Sequence, residues 1–311
     1  MNERQKTLIL ASWVGILGNA VLAIMKVSLG IVSGSLAVIA DGIDSTSDIA
    51  TSVITLFTAK LLSKPPNIQY PYGYEKADTL ATKALSFVIF FAGAQLAIST
   101  VGRLLHPQIA DPPEMLAIYV TLLSIFGKLG LSYYLHRTGK SVSSSMLLAN
   151  AKNMQNDVLI SLAVLVGLIF TFVLKMPILD SVTALIVSLF IMKVGLQIFF
   201  QSNTELMDGM KDPILYCELF RAVKLVDGAR NPHRVRVRKI GNLNMISMDV
   251  EVDPNITVTD AHEIARKVEN IIKESLPNVY DIVVHIEPYG NEELNEKFGL
   301  KEGDVEGLTR E

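Results

Sequence analysis

The chain has 311 residues, half of them apolar, with a formal net charge of −3 and a mean hydropathy of +0.38. That apolar content excludes an ordinary soluble protein of this length, and the near-neutral charge gives no reason to expect a nucleic-acid partner. A single cysteine, Cys217, excludes an internal disulfide framework and a thiolate-rich metal site.

Six segments reach or approach the roughly 20 residues that cross the hydrocarbon: 8–31, 35–61, 78–105, 114–135, 146–174 and 179–201. The first follows Arg4 and Lys6, but its apolar stretch is too long for a signal-peptide core, so it is read as a retained span. Lysine and arginine concentrate before span one (Arg4, Lys6), between spans two and three (Lys64, Lys76) and between four and five (Arg137, Lys140). That bias predicts both termini on the cytoplasmic side; the inner membrane of a prokaryotic cell is the expected location.

The composition changes after Ser202. Asp212 before Pro213 predicts a capped helix over "DPILYCELFRAVKLV", and "HRVRVRKI" and "NMISMDVEVD" alternate as strands around a Gly241-Asn242 turn. "TVTDAHEIARKVENIIKESLP" has the pattern of an amphipathic helix and "YDIVVHIEP" that of a last strand. The order αββαβ predicts a cytoplasmic ferredoxin-like α+β domain. The expected fold is therefore a multi-pass α-helical membrane protein: six transmembrane helices over 1–208, the soluble domain over 209–288 and an acidic, mobile tail over 289–311.

Span two spends three carboxylates. Asp41, Asp44 and Asp48 are spaced i, i+3, i+7 and share one helical stripe; Asn150, Asn153 and Asp157 repeat that spacing on span five. Carboxylates in a span cost several kcal/mol and persist where they pair, line water or bind an ion. Asp41 or Asn150 alone fits a hydrogen-bonding glue between helices equally well. Asp44, Asp48 and Asp157 together need something positive between them. Lys26, Lys83, Lys128 or Lys193 can supply it, and a divalent cation is the sharper option.

The stretches "SGSLAVIADGIDSTSDIATS", "PPNIQYPYGYEKADTL" and "NMQND" resemble the cation diffusion facilitator family, over about residues 1–288. The resemblance implies a homodimeric, six-span exporter of divalent transition metals driven by proton antiport, with no organic cofactor and no enzymatic activity. Carried over, the transport site is Asp44, Asp48, Asn153 and Asp157, with Asp41 and Asn150 in support. Zinc-exporting relatives usually carry His where this chain has Asn153, and often where it has Asp44. An oxygen-only donor set suits Mn2+, then Fe2+, whereas imidazole suits Zn2+; Zn2+ also accepts carboxylates, so it stays open. In the loop, relatives carry acids and histidines where this chain has Asn67, Tyr70 and Tyr74, so an auxiliary loop site is expected to be absent.

In the soluble domain His233, Asp249, His262, His285 and Glu287 stand out, and "AHEIARKVE" and "VVHIEP" resemble the family's cytoplasmic metal site, which would accept Zn2+, Ni2+ or Co2+. Lys76 and Asp208 are read as an ion pair or as a snorkelling lysine and a solvated acid. Arg234, Arg236 and Arg238 are read as a solvated strand face. The expected mechanism is alternating access: carboxylates without their metal repel one another, so a proton can take its place. A passive cation channel would use the same acidic stripe, and a membrane-bound metal sensor the soluble site.

Overall fold

The computed structural model describes residues 3–62, 64–74, 76–105, 113–141, 144–210, 212–240, 243–276, 278–290 and 298–308. Two compact units divide the chain: Met1–Ser63 with Ala81–Phe200, and Lys64–Leu80 with Gln201–Glu311.

The first unit is built on six long helices: α1 (Glu3–Val32), α2 (Leu36–Leu62), α3 (Lys76–Leu105), α4 (Leu116–Ser141), α5 (Ser145–Leu174) and α6 (Ile178–Leu206). Each is 26 to 30 residues long, which at about 1.5 Å per residue exceeds the bilayer core. Five are apolar enough to span by composition; α2 is the exception, because its aspartates interrupt the apolar run. Their outer faces carry Leu17, Val21, Ile24, Phe91, Phe126 and Leu159, all exposed in the isolated chain. In water such a surface would be untenable; in lipid it is the solvent-matched face. The chain is thus an integral membrane protein.

Local signals set the helix ends. The Ser144 side chain accepts the Leu147 N–H at the start of α5, and Lys175 adopts φ 56° at its end. Between α1 and α2 the chain turns at Gly34, with φ 70°. Asp180 of α6 reaches this turn: Ser35 Oγ donates to it at 2.5 Å and the Leu36 N–H at 2.9 Å, while Arg103 of α3 donates to the Gly34 carbonyl at 3.0 Å. Lower in the bundle α1 and α4 run close, Leu131 packing on Gly18 and Leu22 on Gly127; a Cβ at Gly127 would meet the Leu22 side chain at 2.8 Å.

The soluble part of the second unit follows the expected order: α7 (Pro213–Lys224), β1 (Arg230–Ile240), β2 (Leu243–Val252), α8 (Val258–Ser275) and β3 (Val279–Pro288). Asp212 caps α7, accepting from the N–H groups of Ile214 and Leu215, and Thr257 with Asp260 forms a capping box on α8. Strands β1 and β2 pair antiparallel, β2 and β3 parallel with α8 as the crossover. Leu219, Phe220 and Val223 of α7 and Val268 and Ile272 of α8 pack over Val237, Ile246, Met248, Val250 and Ile282 of the sheet. The Gly241-Asn242 turn lies outside the described residues.

Two expectations change here. The strict alternation read over β1 breaks: register shifts fall on both sides of His233, and Asn231 and Arg234 take φ of 41° and 49°. Bulges insert residues into one strand only, so the inward–outward count resets. The tail, expected to be mobile, returns over residues 298–308. Leu300 exchanges two backbone hydrogen bonds with Val235, a short helix α9 (Glu302–Leu308) follows, and Val305 is buried in the domain core. Gly299 passes so close to β1 that a Cβ there would lie 2.4 Å from Arg234 Cα. Lys224 of α7 pairs with Glu302.

Candidate metal centres

In the bundle, α1, α2, α4 and α5 bring six charged side chains into one electrostatic group. Asp41 meets Lys26 at 2.8 Å, with 1% and 0% of the two side chains exposed. The Lys26 ammonium also donates to Ser161 Oγ at 2.9 Å and to Ser45 Oγ at 3.3 Å, and Ser161 donates to the other Asp41 oxygen at 2.9 Å. Asp41 is therefore engaged by α1 and α5. Asp157 meets Lys128 at 3.0 Å, the lysine fully buried and the aspartate 8% exposed. Of the other two lysines considered as counter-charges, Lys83 lies over the Phe199 ring and Lys193 is exposed.

Asp48 of α2 reaches α5: Asn153 donates its amide N–H to Asp48 Oδ1 at 3.4 Å, and the Asp48 and Asp157 carboxyls lie within hydrogen-bonding reach. Asp44, one turn earlier, has no hydrogen bond or ion pair among the described residues and feels Asp157, Lys128 and Asp41 through Coulomb interactions. Asn150 is exposed and joins no hydrogen bond among the described residues. Counted as ionised, the four aspartates carry two more charges than Lys26 and Lys128 neutralise. That excess equals the charge of one divalent cation.

The loop residues Asn67, Tyr70 and Tyr74 bind one another. Asn67 donates to the Tyr74 hydroxyl at 2.8 Å and accepts from the Tyr70 N–H, and the two rings lie 4.7 Å apart.

In the soluble domain the bulged β1 turns His233 toward Asp249 of β2 and Glu287 of β3; all three are buried and each offers one donor atom within 4.8 Å of the others. His233 Nε2 stands 3.4 Å from Glu287, and its Nδ1 is held by the Asn231 carbonyl at 2.7 Å. His285, 65% exposed, lies 3.7 Å from the same Glu287. One nitrogen and two carboxylate donors fit a borderline divalent metal. His262 does not join this group: it sits on the exposed face of α8. Arg234, read as part of a solvated face, lies against the cluster instead, 2.6 Å from Asp249 and 3.8 Å from Glu287. Sequence reasoning missed that role because bulges leave no mark in an alternating pattern.

Lys76 pairs with Asp208 at 2.7 Å, and Arg238 of β1 approaches the same carboxylate at 3.8 Å while stacking over the Tyr72 ring. Only Arg236 of the three arginines keeps the exposed position expected of it.

Comparison with known proteins is consistent along the whole chain. A family model described as the cation efflux transmembrane domain matches residues 12–207, and one described as the cation efflux protein cytoplasmic domain matches 212–289. An uncharacterised transporter of Methanocaldococcus jannaschii is 32% identical over 92% of this chain and 99% of its own. The manganese efflux system proteins MneP and MneS of Bacillus subtilis are 26% and 30% identical, over 94% and 88% of this chain and 99% and 93% of theirs. A solved metal-bound C-terminal domain of the CzcD transporter from Thermotoga maritima is 36% identical over 27% of this chain and all of its own, with a TM-score of 0.26.

Proposed function

Because the chain belongs to the cation efflux family of metal transporters, we propose that it exports a divalent transition metal through the six-helix bundle, with Mn2+ favoured over Fe2+ and Zn2+. The ligands in this reading are Asp44, Asp48, Asn153 and Asp157. The observation that carries it is the charge count. Lys26 is spent on Asp41 and Lys128 on Asp157, which leaves two carboxylate charges in excess beside an amide from the facing helix. Excess buried charge of one sign is costly and is retained where an ion relieves it.

The preference for Mn2+ rests on donor chemistry. Three carboxylates and an amide carbonyl contain no nitrogen or sulfur donor, and hard oxygen sets suit Mn2+. For this role the Asn153 amide presents its carbonyl to the metal, releasing the hydrogen bond it now donates to Asp48. The names of the two Bacillus relatives support the same metal.

Export is driven by protons in this reading. Asp48 and Asp157 are near enough to share one proton when metal leaves, so release and proton uptake become one event. Both termini face the cytoplasm and the protein sits in a prokaryotic inner membrane. The domain is named for dimerisation in the matched family, which supports a homodimer. His233, Asp249 and Glu287, with His285 at the rim, hold a regulatory Zn2+, Ni2+ or Co2+.

The test is metal uptake into proteoliposomes with an imposed pH gradient, comparing Mn2+, Fe2+, Zn2+ and Co2+. Gradient-dependent Mn2+ flux that disappears in Asp157→Ala is expected. Flux indifferent to the gradient would turn the reading to a channel, and equal Zn2+ and Mn2+ flux would sink the selectivity.

A further inference from the structure

The two buried lysines of the bundle are not equivalent. Lys26 is the better served: besides the Asp41 carboxylate at 2.8 Å, its ammonium donates to two serine hydroxyls within 3.3 Å. Lys128 is equally sealed from solvent, yet its ammonium has only the Asp157 carboxylate at 3.0 Å and makes no hydrogen bond among the described residues. A fully buried ammonium short of hydrogen bonds is held by charge alone.

Its single partner, Asp157, belongs to the group with excess negative charge, and Lys128 also acts on Asp44 and Asp48 through space. Two buried oxygens without a hydrogen-bond partner lie on α4 and α1, the helices that carry Lys128 and pack beside it. Ser124 Oγ is on α4, one turn N-terminal of Lys128, and Asn19 Oδ1 is on α1, at the level where Gly18 meets Leu131 and Leu22 meets Gly127. Long helical side chains lean toward the N-terminus, so a lysine is aimed at the residue four positions before it.

We propose that Lys128 is a tethered competitor of the transported metal. Its ammonium neutralises Asp157 in the metal-free bundle, and a divalent cation binds by displacing it toward Ser124 and Asn19, so that Lys128 sets how tightly metal is held. The ammonium keeps its proton throughout; one cation replaces another at the carboxylate. The physical reasoning is that two cations cannot both occupy a single buried carboxylate at contact distance without strong repulsion. The inference rests on the reading of Asp157 as a transport ligand. It adds a residue of α4, which contributes no ligand, to the determinants of affinity.

Mn2+ binding to the purified full-length protein, measured by equilibrium dialysis, decides it; the relevant sites are those lost in Asp157→Asn. In Lys128→Met the competitor is gone, and these sites should bind Mn2+ about tenfold more tightly. In Ser124→Ala the displaced ammonium loses its acceptor, and binding should weaken by a few-fold. A lysine that served only as scaffold would not move affinity in opposite directions at two positions. Unchanged or weaker binding in a Lys128→Met protein that still melts cooperatively overturns the proposal. Should that variant fail to fold, unchanged binding in Ser124→Ala overturns it alone. Asp157→Asn that binds Mn2+ like the wild type is a separate failure: it removes the transport-site reading itself.

Discussion

Lys26 and Asp41 face each other at 2.8 Å across the contact between α1 and α2, both out of reach of solvent, and Ser45 and Ser161 close the ring around them. This arrangement gives a carboxylate inside a membrane helix a partner for its charge. Removing one partner strands the other as a buried charge, at a cost of about 3–5 kcal/mol. Lys26→Met should destabilise the bundle by that order in a denaturant titration, and the double variant Lys26→Met/Asp41→Leu should recover most of the loss. A double variant no more stable than the single one would mean that the charges themselves are not what fails.

Asn153 is the position where donor chemistry and selectivity meet. Asn153→His replaces an amide carbonyl with an imidazole and should shift relative flux toward Zn2+ by about tenfold. Competition between Zn2+ and Mn2+ in one proteoliposome preparation reads the ratio directly. No change in that ratio would place selectivity elsewhere in the bundle.

Arg234 lies against the candidate metal site of the soluble domain. Its guanidinium neutralises Asp249 at 2.6 Å, so Arg234→Ala should lower the melting temperature of the metal-free protein, and added Zn2+ should restore it. The wild type should gain less from Zn2+, because the metal must first displace the arginine. An equal Zn2+ shift in both proteins would argue against that competition.

Asp208 serves two cations, Lys76 at 2.7 Å and Arg238 at 3.8 Å, from a backbone with φ 58°. Asn tolerates that conformation, so Asp208→Asn removes charge without adding strain. The pair with Lys76 is more than a third exposed on both sides, and such pairs contribute about 0.2–1 kcal/mol. Asp208→Asn should therefore cost more than Lys76→Met, but both should stay near 1 kcal/mol. A double-mutant cycle measures the coupling; a value of several kcal/mol would show that solvent does not screen the pair.

Much of this architecture was legible in the residues. Long apolar runs can only be helices in lipid, so the spans fall on the six helices, although α1 begins earlier than expected and α4 and α6 run on further. Their polar stripes brought Asp48, Asn153 and Asp157 to facing helices. The lysines were harder. Lys26 and Lys128 were visible as charges inside apolar runs, but periodicity says which face a residue takes, not which neighbour it meets. Pairing Lys26 with Asp41, and not with Asp44 three residues on, depends on the crossing of three helices. His262 lies on the exposed face of α8, apart from His233, Asp249 and Glu287, a separation that spacing along the chain does not announce. The return of Leu300 to Val235 depends on a β1 edge left open by bulges, which no local pattern announces.

Asp180 and Arg103 give the bundle a mechanical asymmetry. At the end of the bundle that carries the α1–α2 turn, α6 holds the α2 N-terminus through Ser35 and the Leu36 N–H, and α3 holds the Gly34 carbonyl of the same turn. Separating these elements there would strand the buried Asp180 carboxylate without its donors and leave the Arg103 guanidinium without its acceptor. That end is therefore the more costly one to part, because three elements share its polar contacts.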